Sequence, residues 1–490
     1  MTGPRERSER GANKLAMCSI ADRDKGVRFT RPALSKMALR IVNTLTRKKE
    51  VFKSKGKTIE MYVCGPTVYG PGHLGHARTY SSYDVIKRYL EFSGYKVKLI
   101  MNITDVHDDM ISQAKKEGIS MKKLGEKYTK EFFNELKELN IEKASSYPKV
   151  SEHIKEIIEL IKKLEKNGLA YATDDGVYFR VSKFKAYGKL SNIKIDKEKT
   201  GTRIKTDKYE KEKAQDFALW KLDNGDEFWN SPWGRGRPGW HIECSAMSMK
   251  QLGENFDIHG GAKDLIFPHH ENEIAQSEGA TKKKFVNYWL HAGLITVDGQ
   301  KMSKSLGNFT IIPEILSKYD LNAVRAFFSQ AHYQSPLDYN DKALQESKIV
   351  ADRLQDFVLR AKESKGKKNA KFESEVRKIK QNFINAMDDN FNTPIAWAEL
   401  HKLVSLMNKN LNKINVNSGL KVFLELAHIF GLKFNLKVIN LDSEIRKLIA
   451  EREKARSVKD FKSADNIRDE LKKKGIVLED TPSGVRWKKQ

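Results

Sequence analysis

Cysteine is scarce in this chain: Cys18, Cys64 and Cys244 are the only three among 490 residues. They lie far apart and form no C-x-x-C pair, so their spacing shows neither a disulfide framework nor an ordinary zinc ribbon. A reducing, cytoplasmic compartment is expected. Long hydrophobic runs are missing too. No apolar stretch approaches the roughly 18 to 20 residues that cross a bilayer, and the N-terminus has no continuous apolar core of the signal-peptide kind, so no membrane partner is expected. Acidic residues are outnumbered, 64 Asp and Glu against 90 Lys and Arg, which gives a formal charge of +26. That excess points to a polyanionic partner, nucleic acid first, with a merely solvated basic surface as the alternative. With 39% hydrophobic residues over this length, the chain can bury several cores, and about two to four domains are expected.

Residues 1–36 mix Arg, Glu, Asp and Ser without periodicity and read as a disordered extension, or as a mis-assigned start ahead of Met37. Glu6, Glu9, Asp22 and Asp24 argue against an acid-poor transit peptide. From Thr58 the pattern is a strand (TIEMYVC), a glycine-rich turn, an amphipathic helix to about Phe92, and a second strand (VKLIMNIT). This strand–helix–strand unit implies a parallel sheet with its ligand crevice at the strand C-termini. SEHIKEIIELIKKLEKNG reads as a helix with Ser151 as N-cap and Gly168 as stop, and the charged IDKEKTGTRIKTDKYEKEKAQD after it as part of an exposed insertion. FDIHGG and WLHAGLITV then return to buried-strand character around the helix PHHENEIAQSEGA, so the first domain is discontinuous. Beyond about residue 341 the pattern is nearly all helical, broken by SKGKKNAK, and GIVLEDTPSGVRWKK ends the chain as a small hairpin.

Two motifs carry chemistry. In His73-Leu74-Gly75-His76, two imidazoles at a helix start could donate to phosphate oxygens where the helix dipole already favours an anion. Gly75 would let a flat base approach the backbone. In KMSKSLGN, Lys301 to Asn308, Lys301 and Lys304 stand on a loop suited to closing on a leaving pyrophosphate. Cys64, Cys244 and the pair His269 and Glu273, spaced i and i+4 on one helix face, are either buried structural residues or a tetrahedral zinc set.

Together, His-x-Gly-His and KMSKS resemble the signatures of class I aminoacyl-tRNA synthetases. CGPTVYGPGHLGH, GWHIECSAM, HGGAKDLIFPHHENE, VDGQKMSKSLGN and DDNFNTP, in this order, are similar to the cysteinyl-tRNA synthetase family from about Met37 to the C-terminus. The resemblance implies an α/β fold: a class I Rossmann-type nucleotide-binding domain split by an insertion, followed by an α-helical tRNA-binding bundle and a small C-terminal mixed module. The implied plan is a catalytic domain in two halves, 37–150 and 237–300, around a connective segment, 151–236. A KMSKS and stem-contact module (301–340), an anticodon-binding bundle (341–434) and a C-terminal tRNA-binding module (435–490) follow.

The resemblance also implies that Cys64, Cys244, His269 and Glu273 bind one zinc ion. It implies that Thr104, Trp240 and His259 line the amino-acid pocket, with Asp264 in the same matched stretch. His73, Gly75, His76, Lys301 and Lys304 serve ATP, which is used with Mg2+. His241, His270 and Glu271 flank the ligands and could orient them. The implied partners are tRNA(Cys), ATP and L-cysteine, the implied state a monomer. Serine is nearly isosteric with cysteine, and pocket shape gives only about 10- to 200-fold discrimination, whereas zinc prefers a soft thiolate. A related ligase that joins cysteine to an amino sugar should lack the tRNA-reading tail, and an inactive RNA-binding relative should lack one of the signature lysines. Leu74 replaces a usual Ile, Gln334 replaces a common Arg, and Cys18 falls outside the match.

Overall fold

The computed structural model describes residues 38–193, 203–204, 216–223, 225, 228–302, 307–436, 443–481 and 484–489. The extension 1–36, with Cys18, and Lys304 lie outside them. The chain divides into two compact units, Met1–Phe434 and Asn435–Gln490.

The first unit is organised around a four-stranded parallel sheet. Strand β1 (Thr58–Val63), helix α1 (Leu74–Phe92) and strand β2 (Lys96–Met101) form the expected crossover unit, with Thr58 opposite Lys96 and Val63 opposite Met101. The chain re-enters the sheet long after, as helix α2 (Trp240–Leu252), strand β3 (Phe256–Ala262), helix α3 (His269–Thr281) and strand β4 (Val286–Ala292). The strand order is β4-β3-β1-β2, so the two halves join where β3 pairs with β1, His259 beside Tyr62. All pairings are parallel. In such a sheet the C-terminal strand ends face one edge, and the loops there gather the ligand-binding side chains.

Helix α1 is buried almost all round, because Tyr80, Tyr83, Ile86, Tyr89 and Leu90 pack on several sides of it. Among its buried charges, Asp84 Oδ2 accepts from Arg88 at 2.8 Å and from Arg325 at 2.6 Å. The segment between β2 and α2 contributes helices Asp108–Glu117, Met121–Glu138 and Ile154–Lys166, and a mostly antiparallel sheet containing Gly176–Phe179 and Asp216–Leu222. Most of the charged stretch expected to be exposed falls outside the described residues.

Ser151 is not the N-cap that its sequence predicts. The helix starts three residues later, after a 3-10 turn at Val150–Glu152. The Ser151 N–H and hydroxyl instead donate to Asp105, at 3.0 and 2.5 Å. A long-range carboxylate has outcompeted the local cap. Gly168 ends the helix as expected, in the left-handed region at φ 72°.

After β4, Ile295–Val297 and Gln300–Lys301 form a hairpin across Asp298-Gly299, both at positive φ, the signature of a tight two-residue turn. Helices Ile312–Lys318 and Leu321–Gln330 lead to a bundle of Asp341–Lys362, Ala370–Asp388, Thr393–Asn410 and Asn417–Ile429. The second unit packs helices Ser443–Ser457 and Phe461–Lys473 with an antiparallel hairpin, Ile476–Thr481 and Gly484–Lys489. Leu471, Ile476 and Leu478 form its core. Among the described residues no helix is long and apolar enough to cross a membrane.

Candidate active site and metal centre

Cys64 directly follows β1, and its N–H donates to the Gly260 carbonyl of β3 at 3.1 Å, so strand pairing itself places the thiol. Cys244 comes from α2; His269 and Glu273 come from the start of α3. All four are buried, and their ligand atoms lie within 4.8 Å of one another. The two sulfurs are 4.0 Å apart, Cys64 Sγ is 3.8 Å from Glu273 Oε1, and His269 Nε2 is 3.1 Å from the same oxygen. Tetrahedral zinc, with bonds of about 2.3 Å to sulfur and about 2.0 to 2.1 Å to nitrogen or oxygen, requires edges of about 3.8, 3.6 and 3.3 Å for those pairs. The observed edges match to a few tenths of an ångström. Two thiols, an imidazole and a carboxylate therefore fit zinc in both geometry and donor type. A second grouping, Cys64, His259, His270 and Glu273, shares two of these residues.

The groups of the cluster set one another's charge. A hydrogen bond from Cys64 pulls the Cys244 thiol down to about 6 against its burial. Burial would lower His269, but Cys244 and Glu273 outweigh it and hold the imidazole at about 10. Glu273, buried yet facing His259 and His269, is held at about 2. The Cys244 thiolate and the Glu273 carboxylate are thus favoured, beside an imidazolium whose proton a metal would displace, while burial and Cys244 push the Cys64 thiol well up.

The surrounding residues divide into those that touch the cluster and those that do not. His259 Nε2 donates to Glu273 Oε2 at 2.8 Å, and His241 and His269 meet through their Nδ1 atoms at 2.9 Å. His270 lies 3.3 Å from Cys64 Sγ and is backed by His291 at 2.7 Å. Trp240 lies across His269, ring centroids 4.4 Å apart. Glu271 faces elsewhere, accepting from the backbone N–H groups of Gly188, Leu190 and Ser191. Asp264 is exposed on a turn. Thr104 reaches the cluster through Asn102, whose amide donates to the Thr104 hydroxyl at 3.0 Å. Asn102 Oδ1 accepts from the Gly65 N–H at 2.9 Å and lies 3.8 Å from Cys244 Sγ. Sequence reasoning missed Asn102; its one signal was its place at the C-terminal end of a parallel strand.

The His-x-Gly-His turn sits at the same sheet edge. His73 is the N-cap of α1, its Nδ1 accepting from the Gly75 N–H at 3.1 Å, while His76 Nδ1 accepts from the His73 N–H at 3.4 Å. Both Nδ1 atoms act as acceptors, which fixes the proton of each neutral ring on Nε2. Burial and the neighbouring His73 keep His76 well below its usual pKa, hence neutral. The rings stack with centroids 3.7 Å apart. Gly75 has a reason that sequence did not disclose: a Cβ there would stand 2.9 Å from His73 Cε1.

Lys301 ends its short strand, and the chain beyond the KMSKS loop returns to this turn. Leu74 N–H donates to the Thr310 carbonyl at 3.0 Å, and Ile312 N–H to the Gly72 carbonyl at 2.8 Å. The His-x-Gly-His turn and the segment that follows KMSKS are therefore joined through backbone hydrogen bonds. Gln334 is bonded to Asn390, whose amide donates to it at 2.7 Å.

Comparison with known proteins bears on this geometry. Residues 50–349 match the family model described as tRNA synthetases class I (C) catalytic domain, 382–435 the DALR domain, and 440–487 the cysteinyl-tRNA ligase anticodon binding domain. The chain is 46% identical over 474 residues to the cysteine–tRNA ligase of Thermococcus onnurineus, covering 92% of this chain and 99% of that one. It is 46% identical over 466 residues to that of Carboxydothermus hydrogenoformans, covering 92% and 100%. Among solved structures, methionyl-tRNA synthetase of Mycobacterium tuberculosis superposes with a TM-score of 0.59 at 14% identity, covering 76% of this chain and 90% of that one. A LeuRS ternary complex from Agrobacterium radiobacter K84 gives 0.56 at 12%, covering 77% and 84%. These two share the fold. The split parallel sheet, its buried thiol cluster and the sequence matches along nearly the whole chain agree, and the chain belongs to the cysteine–tRNA ligase family of class I aminoacyl-tRNA synthetases.

Proposed function

We propose that this chain activates L-cysteine with Mg-ATP and transfers it to the 3′ end of tRNA(Cys). The observation that carries the reading is the convergence of Cys64, Cys244, His269 and Glu273 at the sheet edge that also presents His73 and His76. The cysteine carboxylate attacks the α-phosphate, forming cysteinyl-adenylate and releasing pyrophosphate. The terminal ribose hydroxyl of tRNA then attacks the acyl carbon and releases AMP.

His73 and His76 donate from Nε2 to phosphate oxygens, both rings being held in that tautomer by their own helix. Lys301 and Lys304 neutralise the departing pyrophosphate. Cys64, Cys244, His269 and Glu273 would hold the zinc ion, which when bound supplies a soft site for a thiolate that the serine hydroxyl cannot match. Trp240 and Thr104 wall the amino-acid pocket, and His259 acts on it through Glu273. The helical bundle and the second unit bind tRNA, phosphate contacts making binding salt-sensitive. We expect a cytoplasmic monomer.

The test is transfer of radiolabelled cysteine to unfractionated tRNA by the zinc-loaded protein, with serine as competitor. Formation of cysteinyl-tRNA with serine excluded is the expected result. Activation of cysteine without transfer to tRNA would favour a small-molecule acceptor and overturn the tRNA assignment.

A further inference from the structure

We infer that Glu135 is a positioning residue for adenylate formation, its carboxylate clamping Gly72 at the point where the His-x-Gly-His turn meets the chain leaving KMSKS. This rests on the activity proposed above. Glu135 belongs to helix Met121–Glu138, remote in sequence from both motifs, and is only 3% exposed. Its Oε1 accepts from the Gly72 N–H at 2.9 Å. On the other side of the same residue, the Gly72 carbonyl accepts from the Ile312 N–H at 2.8 Å. Gly72 is thus gripped at both of its backbone polar groups, one by helix Met121–Glu138 and one by the segment after KMSKS.

The fit leaves no space for a side chain. A Cβ on Gly72 would stand 2.4 Å from Glu135 Oε2 and 2.8 Å from Ile312 Cδ1. The next residue is His73, which caps α1 and whose N–H is accepted by His76, so a displacement of Gly72 moves both phosphate-binding rings. Glu135 also lines the cleft formed by Thr67, Gly70, His73, His76 and Phe309. Among the described residues its Oε2 is buried without a hydrogen-bond partner, a costly placement for a carboxylate whose role is only to fill space. Burial, with Glu131 and Glu138 adding to it, raises its pKa to about 7, while the Gly72 N–H pulls the other way.

The experiment is cysteine-dependent ATP–pyrophosphate exchange by the full-length, zinc-loaded protein and its Glu135→Ala and Glu135→Gln variants. Gln retains an oxygen for the Gly72 N–H. Displacement of a reacting group by about 1 Å costs on the order of 10²-fold. E135A is therefore expected to lose about 10- to 100-fold in kcat with the cysteine KM unchanged, and E135Q to stay within about threefold of the parent. Neither variant should lower the melting temperature or change tRNA retention on filters.

Parent-like exchange by E135A, or equal losses in both variants, would overturn the inference. So would a loss that tracks a fall in melting temperature. If E135A fails to fold, Gly72→Ala reads the same clamp from its other side and is expected to lose exchange at an unchanged melting temperature; an active G72A overturns the clamp. Absence of exchange in the parent protein removes the proposed activity and the inference with it, whereas parent activity that survives in E135A removes the inference alone.

Discussion

Gly75→Ala separates helix stability from catalysis. Gly75 is the second residue of α1, and by propensity alone Ala there should stabilise the helix by about 0.5 to 1 kcal/mol. Its Cβ, however, would stand 2.9 Å from His73 Cε1 and 3.0 Å from His73 Nδ1. The imidazole must turn aside, and the Nδ1 cap on the Gly75 N–H, 3.1 Å long in the parent, is lost. A lost N-cap costs about 1 kcal/mol. The two effects nearly cancel, so the melting temperature should move by less than about 4 °C. Catalysis has no such compensation, because a ring displaced by about 1 Å forfeits on the order of 10²-fold, or about 2.7 kcal/mol of barrier. ATP–pyrophosphate exchange and a thermal melt on the same preparation read the two quantities. Exchange within about threefold of the parent, or a melting temperature lowered by about 10 °C, would refute the reasoning.

Cys244→Ser and Cys64→Ser each replace a soft ligand by a hard one, so zinc per chain, measured by atomic emission, should fall from about one toward zero, and kcat/KM for cysteine by more than about tenfold. Full zinc in either variant would place the metal elsewhere. Because folding raises Glu135 from 4.5 to about 7, its contribution is fully present below pH 4.5 and is lost as pH rises through about 7. Glu135→Gln, which cannot ionise, should gain thermal stability relative to the parent across that window, and a difference in melting temperature that is flat with pH would contradict this. Asp84→Asn leaves Arg88 and Arg325 buried without their shared carboxylate, a loss of about 3 to 5 kcal/mol by denaturant titration. A second change, Arg325→Met, should recover part of it, and a parent-like midpoint for D84N alone would show the cluster to be dispensable.

The fold was legible wherever periodicity and turn chemistry agreed. The strand β1, the helix α1 and the strand β2 could be read in order, although α1, expected to be amphipathic, is buried almost all round with polar residues included, and the Asp298-Gly299 turn carries residues that favour the positive φ they adopt. Ser151 failed for a stated reason. Its local signal as a cap was genuine, but Asp105 competes for the same N–H and hydroxyl from 46 residues away, and a local pattern carries no term for a partner so distant. Which strands neighbour one another was equally invisible from local pattern: β1 finds β3 only after the whole insertion has passed.

That pairing also explains what spacing could not say about the buried thiol cluster. Cys64 and Cys244 are 180 residues apart, and nothing in their separation distinguishes ligands from buried structural cysteines. The weight came from the motifs around them. In the structure, the Cys64 N–H is already bonded to Gly260 of β3, so the closure that brings the second half of the sheet onto β1 also carries α2 and α3, with Cys244, His269 and Glu273, to the thiol. Zinc would therefore bind residues contributed by both halves of a split domain and stabilise the joined state over the separated one by its binding free energy. On this argument chelation should weaken more than cysteine binding: in hydrogen exchange, the amides of β1 and β3 should lose protection on zinc removal, while those of the helical bundle, which contributes none of these ligands, should keep theirs. Uniform loss across both regions would mean that the metal sustains the whole unit, and no loss in β1 and β3 would mean that the sheet closes without it.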